Sequence, residues 1–296
     1  MGLIIGISFL FIAVLGGFIG MGGHLAVLWQ PFEVLIVCGA ALATFFTANS
    51  MKVIKDTGRA LMDIFTGRRL KEKDFLDLLG LMFSLLRTIR GQGILHLEAA
   101  IERPYDSPIF QQYPSVLAKP RAVSFLCDYL RLLSLGTAKP HEVEALMDEE
   151  IRMISKDLHR PTHALSVVAD ALPALGIVAA VLGVIKAMGA INQPPEILGH
   201  LIGGALFGTF LGVFLSYGVV SPIAGQVRSN RDTEISYFLA IKSTLLAHLN
   251  GAAAQVAVEY GRKVLHDDAQ PSFDAVEEAT IRENEVIRHS KNRKVA

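Results

Sequence analysis

Few residues in this chain could do chemistry, and most of them stand at the edges of long apolar runs. An ion or proton carrier inside a bilayer needs a polar or titratable group at mid-depth, and a charge buried in hydrocarbon survives only where it is used. Thr209 is the main polar side chain deep in such a run, with Ser216 and Tyr217 nearer the end that the charge pattern below assigns to the cytoplasm. Glu33 and Asp170 lie at run ends. Lys186 lies close to an end, where a long side chain can reach water. A lone threonine in a helix is usually satisfied by the carbonyl one turn back. None of these groups is an acid at mid-depth. Coupling to an ion gradient would therefore require a partner to supply the carboxylate.

Other constellations are missing. There is no CxxC, no Cys/His set with zinc spacing and no HExxH. Nor is there a P-loop, a dinucleotide fingerprint or a nucleophile–base arrangement, and the glycines around Met21 have no strand before them. Cys38 falls in an apolar run and Cys127 in a polar segment, so pairing is not expected. No cofactor, metal or enzymatic activity is expected. Arg90 and Glu98 flank a Gly-Gln-Gly break and by themselves read as solvated charges. Glu142, Glu144, Asp148, Glu149 and Glu150 read as the wet face of a helix.

The elements around these residues follow from composition. The chain has 296 residues, 51% hydrophobic and 19% charged, with 28 basic and 28 acidic side chains. The zero net charge gives no basis for attraction to nucleic acid. The apolar excess sits in four runs, 3–22, 34–50, 171–191 and 201–222, of which only the third holds a charge. About 20 residues of helix cross a bilayer, so four membrane helices are expected, the second being short. The first run lacks the basic flank of a cleaved signal and reads as a retained span. Seventeen of the basic residues fall in 51–170 and ten in 223–296, and the links 23–33 and 192–200 have none. Because Lys and Arg collect on the cytoplasmic side, the long loop, the tail and both termini are expected inside.

The expected fold class is all-α: a polytopic membrane protein with four transmembrane helices and a helical cytoplasmic region. Its divisions are 1–50 (spans one and two), 51–170 (cytoplasmic helical loop), 171–222 (spans three and four) and 223–296 (cytoplasmic helical tail). Apolar residues from Phe75 to Ile89 recur at helical spacing behind an acidic first turn, and Gly91 and Gly93 should end that helix. Pro104, Pro108, Pro114 and Pro120 should separate short helices, and another helix should occupy 140–159. Span four should run on into the tail as one long helix, with 267–296 charged and mobile at its end. Gly204, Gly208 and Gly212 form a GxxxGxxxG face for close helix approach. Gly176 with Ala180, and Ala179 with Gly183, repeat it more softly in span three. Pro173 and Pro222 stand at the cytoplasmic ends of spans three and four, and composition alone favours a helix boundary at each.

The layout and several motifs resemble the MotA family of flagellar motor stator proteins. Leu-Arg-Thr-Ile-Arg-Gly-Gln-Gly at 86–93, through Glu98, is similar to the family's basic loop segment. Residues 170–180 (DALPALGIVAA), 203–212 (GGALFGTFLG) and 217–224 (YGVVSPIA) resemble its third and fourth spans closely. The resemblance implies a bacterial inner-membrane protein in which five such subunits surround two MotB subunits, each bringing a membrane aspartate. It implies that Arg90 and Glu98 contact the rotor protein FliG, and that Pro173 and Pro222 shape or transmit motion near the ion site. Thr209, with Ala180 opposite and Tyr217 nearby, would line the ion path. Ala180 in place of a hydroxyl favours protons over sodium, and Lys186 departs from the family pattern at the outer end. The alternative is a subunit of the TolQ/ExbB kind, which usually has three spans.

Overall fold

The computed structural model describes residues 2–136 and 139–280, and these contain helices and no strand. In chain order the helices are α1 (Gly2–Gly20), α2 (Pro31–Ala48), α3 (Met51–Thr66), α4 (Glu72–Gln92), α5 (Glu98–Glu102), α6 (Pro108–Gln111) and α7 (Pro114–Leu117). They continue as α8 (Pro120–Ser134), α9 (Pro140–Leu158), α10 (Arg160–Met188), α11 (Pro195–Leu215), α12 (Ser221–Leu249) and α13 (Ala254–Lys263). A single π turn, Ser216–Val220, joins α11 to α12. The stretches Gly2–Gly20, Leu25–Ala48, Pro140–Met188 and Pro195–Leu249 are long and apolar enough to cross a membrane.

The chain divides into two compact units, Met1–Arg69 with Leu158–Ser229, and Leu70–Asp157 with Asn230–Ala296. Helix α3 and the polar first turns of α10 belong to the unit that holds the long apolar helices. The expectation of a mobile end falls partly on residues 281–296, which lie outside the described residues.

In the first unit α1 has no buried residue, and it meets α11 through Phe11 and Phe214, whose rings stand edge to face at 5.0 Å. An apolar cavity of about 630 Å³ lies between α1 and α11, lined by Val14, Phe18, Leu206 and Phe210 among others. Pro31 opens α2 at a position where a missing amide costs nothing. Val37 and Ala41 of α2 join Leu172 and Ala179 of α10 in one buried cluster. Helix α3 is amphipathic and ends on Gly67, whose φ of 69° supplies a left-handed cap. Its Ala60 packs with Leu165, Ala224 and Val227.

In the second unit the core is built of large side chains. Phe75, Leu78, Leu79, Leu81, Met82, Leu85 and Leu86 of α4 are fully or almost fully buried. Phe75 meets the Tyr237 ring of α12 at 5.5 Å, and Phe125 of α8 meets Phe238 at 5.4 Å. Asp74 accepts from the Lys71 amide at the start of α4, as an acidic first turn should. The helix passes through Gly91 and stops at Gly93, whose φ of 84° is open to glycine. Gly91 therefore interrupts nothing, because a single glycine weakens a helix without requiring it to end. Pro108, Pro114 and Pro120 each start a helix, and Pro104 starts a 3₁₀ turn. Lys242 of α12 reaches Asp148 of α9 at 2.6 Å and Glu144 at 3.7 Å.

Candidate functional site

The contact between α10 and α11 is made where side chains are smallest. A methyl group added at Gly212 would stand 2.5 Å from the Leu172 carbonyl oxygen, and one at Gly176 would stand 2.7 Å from the Gly208 carbonyl oxygen. At Gly208 it would meet the Ala179 methyl at 2.8 Å, and at Gly183 the Ala205 methyl at 2.6 Å. Such backbone approach is how helices associate where lipid removes the hydrophobic drive. Gly204, the first glycine of the GxxxGxxxG face, lies elsewhere: its nearest neighbour is the Gln30 side chain at 3.2 Å. On the α10 side the seam uses Gly176, Ala179 and Gly183. The backbone nitrogen of Ala180 stands 3.2 Å from where a Gly208 methyl would be.

Thr209 sits at the edge of this seam, half-buried, its Cα 3.3 Å from the position of a Gly176 methyl. The expectation that its hydroxyl would bond its own helix is not met: it makes no hydrogen bond among the described residues. Thr44, Thr47, Thr57, Thr66, Thr88 and Thr244 all donate to the carbonyl four residues back. The Thr209 hydroxyl is thus available to a group outside the chain.

Two irregularities adjoin the seam. Pro173 is not a helix boundary; it lies well inside α10, which begins at Arg160. Proline has no amide to give the carbonyl four residues back, and that carbonyl belongs to Ala169. The Ser216 hydroxyl donates to it across the two helices at 2.6 Å, and both residues are buried. That outside donor lets the helix continue through its proline. On the other side, the Ser216 amide meets the carbonyls of both Gly212 and Val213, and the π turn begins there. Tyr217 in that turn is exposed. Gly218 beside it approaches Leu10 of α1. Pro222 is the second residue of α12, exposed, directly after the turn. It is a boundary between α12 and the π turn, but the chain stays helical from Pro195 to Leu249.

Charged groups keep to the ends of the apolar runs. Glu33 is in the first turn of α2, Lys186 is exposed in the last turn of α10, and Asp170 is exposed just before Pro173. Among the described residues no cluster of His, Cys, Asp or Glu could hold a metal ion.

In the other unit, Arg90 stands exposed in the last turn of α4 and Glu98 exposed at the start of α5, on either side of the Gly93 bend. They form no ion pair with each other among the described residues. Burial pushes the His248 imidazole of α12 below its usual range, a backbone hydrogen bond with Ala252 opposes this and the field of Arg90 adds to it; its Nδ1 is buried and unpartnered.

Sequence reasoning named Ser216 among the polar groups of span four but did not pair it with the Ala169 carbonyl. The signal was present: a proline inside a span strips a known carbonyl, and a serine stands on the neighbouring small-residue face.

The described residues form a helical subunit of membrane type, with a small-residue seam and a charged helical unit. Residues 4–93 match the description "Motility protein A N-terminal", and residues 122–239 match "MotA/TolQ/ExbB proton channel family". The chain belongs to this family, on its motility protein A branch. It is 42% identical to Motility protein A of Salmonella typhimurium and, likewise, to that of Escherichia coli, over 90% of both chains. It is 34% identical to the chemotaxis protein LafT of Vibrio parahaemolyticus, over 92% of this chain and 96% of that one. The fold is similar to a chain of the C. jejuni MotAB structure (TM-score 0.72, 20% identity, 92% of this chain and 98% of that one). It is also similar to a chain of the flagellar MotAB stator complex from Bacillus subtilis (TM-score 0.64, 22% identity, 86% and 92%).

Proposed function

We propose that this chain is a stator subunit of the bacterial flagellar motor, converting a proton-motive force into torque together with MotB. The observation that carries the reading is the Thr209 hydroxyl, without a hydrogen bond among the described residues, beside a seam of glycines and in apolar runs whose sequence has no acid at depth. Such a surface fits a partner helix that brings a carboxylate. Support for MotB as that partner comes from the relatives named Motility protein A and from the two similar MotAB assemblies.

In this reading the protein lies in the inner membrane with both termini in the cytoplasm, surrounded by lipid, and five copies enclose two of MotB. Thr209, Ala180 and Tyr217 line the proton path, while Pro173 and Pro222 transmit the local change. Moving one charge through about 100 mV releases about 2.3 kcal/mol, so each step must connect packings of nearly equal energy. Helix faces of glycine and alanine, which slide with little interlocking, suit such steps. Arg90 and Glu98 engage the rotor protein FliG through exposed, salt-screened charges, which permits repeated contact and release. Reversing both charges together (Arg90→Glu with Glu98→Lys) tests this. Swimming is expected to stop while the protein still reaches the membrane at normal levels; unimpaired swimming would overturn the rotor contact.

A further inference from the structure

In an α-helix the amide of each residue serves the carbonyl four back, so Pro173 leaves the Ala169 carbonyl without its partner. Ala169 is 3% exposed, and a backbone carbonyl buried in this way needs another donor within the protein. The Ser216 hydroxyl donates to that oxygen at 2.6 Å, from 47 positions along the chain. Ser216 is 1% exposed. A serine in a helix ordinarily bonds a carbonyl of its own preceding turn. Here the carbonyls of Gly212 and Val213 are already shared by the Ser216 amide. This is also where the ladder changes from α to π, ahead of Pro222. One hydrogen bond therefore joins the defect made by the first proline to the residue that opens the irregular turn before the second.

We infer that Ser216 is a positioning residue that latches these two bends together, with the Ala169 carbonyl as its strike. While the latch is closed, α10 and α11 hold one register at Leu172–Gly212, where only glycine leaves room. When it opens, the Ser216 hydroxyl and the Ala169 carbonyl lose each other as partners, so the bends change as a pair. The inference deepens the reading above and rests on it, in that motion at Pro173 and Pro222 is taken to matter for torque.

The test uses the full chain assembled with its partner in membranes. Ser216→Ala is expected to lower motor speed several-fold at unchanged membrane levels, and Ser216→Thr, which keeps the hydroxyl, to restore most of it. A thermal double-mutant cycle on the purified complex isolates the bond. Ser216→Ala should lower the melting midpoint in the native background. With Pro173→Ala, where residue 173 regains an amide for Ala169, it should not. An equal drop in both backgrounds would overturn the latch. A lowered midpoint with full motor speed would make Ser216 merely structural and overturn its positioning role. Normal swimming of Pro173→Ala itself would instead sink the torque reading, with the coupled melting left standing.

Discussion

The two units of this chain bury their helices by opposite means. In the unit containing α1, α2, α10 and α11, contact is made by Gly176, Ala179, Gly183, Gly208 and Gly212, and α1 buries nothing. In the other, contact is made by Phe75, Leu78, Leu85, Phe125, Tyr237 and Phe238. The difference follows from the solvent. In water, a helix face gains about 25 cal/mol for each Å² of apolar surface it hides, so large side chains face inward. In lipid that gain vanishes, and what remains is backbone proximity and the satisfaction of every polar group.

The contrast predicts that the two units fail under opposite substitutions. Gly212→Leu should have the largest effect, because even its first carbon would stand 2.5 Å from the Leu172 oxygen. Loss of the assembled complex on size-exclusion chromatography is expected, and an intact complex would contradict the close seam. Next comes Leu85→Ala in α4, where truncation at full burial should cost about 3 kcal/mol and speed proteolysis of the unit that holds α4. A smaller loss, about 1–2 kcal/mol, is expected for Lys119→Met. Its ammonium sits 2.8 Å from Asp74 and 5.2 Å from the centre of the Tyr237 ring, and donates to the Ser115 carbonyl. Thermal melts at low and high salt check this, and high salt should not erase the difference if the pair is shielded. The smallest effect is expected for Leu206→Ala in α11: a large residue, 66% exposed, whose truncation should leave stability and motility unchanged.

A thiol separates the environments further. Burial is the main cause that pushes the Cys127 thiol up to about 12, well above the ordinary value of 9.0. A folded-state pKa above the unfolded one means stability is present below about pH 9 and falls as pH rises from there towards 12. In a Cys38→Ser background, Cys127 should resist maleimide at pH 8 until the unit unfolds; rapid labelling of the native protein would contradict its burial.

Much of this was legible in the residues, for a physical reason. Four charge-free or nearly charge-free runs predicted the four long helices, the first two within a few positions, because hydrocarbon admits little else. The amphipathic run from Phe75 predicted α4. What was not legible depends on partners far along the chain. Proline is read locally as a break, so Pro173 looked like a boundary; the donor that lets the helix continue is Ser216, invisible to any window around 173. The polar turns of α10 before 171 carry no apolar signal, although they are the same helix. Gly204 shares a spacing with Gly208 and Gly212, yet faces Gln30 rather than α10. Spacing fixes the face of a helix and not which neighbour covers each level of it.

Proton flux measured in liposomes tests the central claim most directly, since that claim is that these helices form a conduit lacking its own carboxylate. The purified chain alone, under an imposed pH gradient and membrane potential, should leave the gradient standing. The chain assembled with a single-span partner bearing a membrane aspartate should dissipate it, and an aspartate-to-asparagine partner should not. Sustained proton flux through the chain alone would contradict the account.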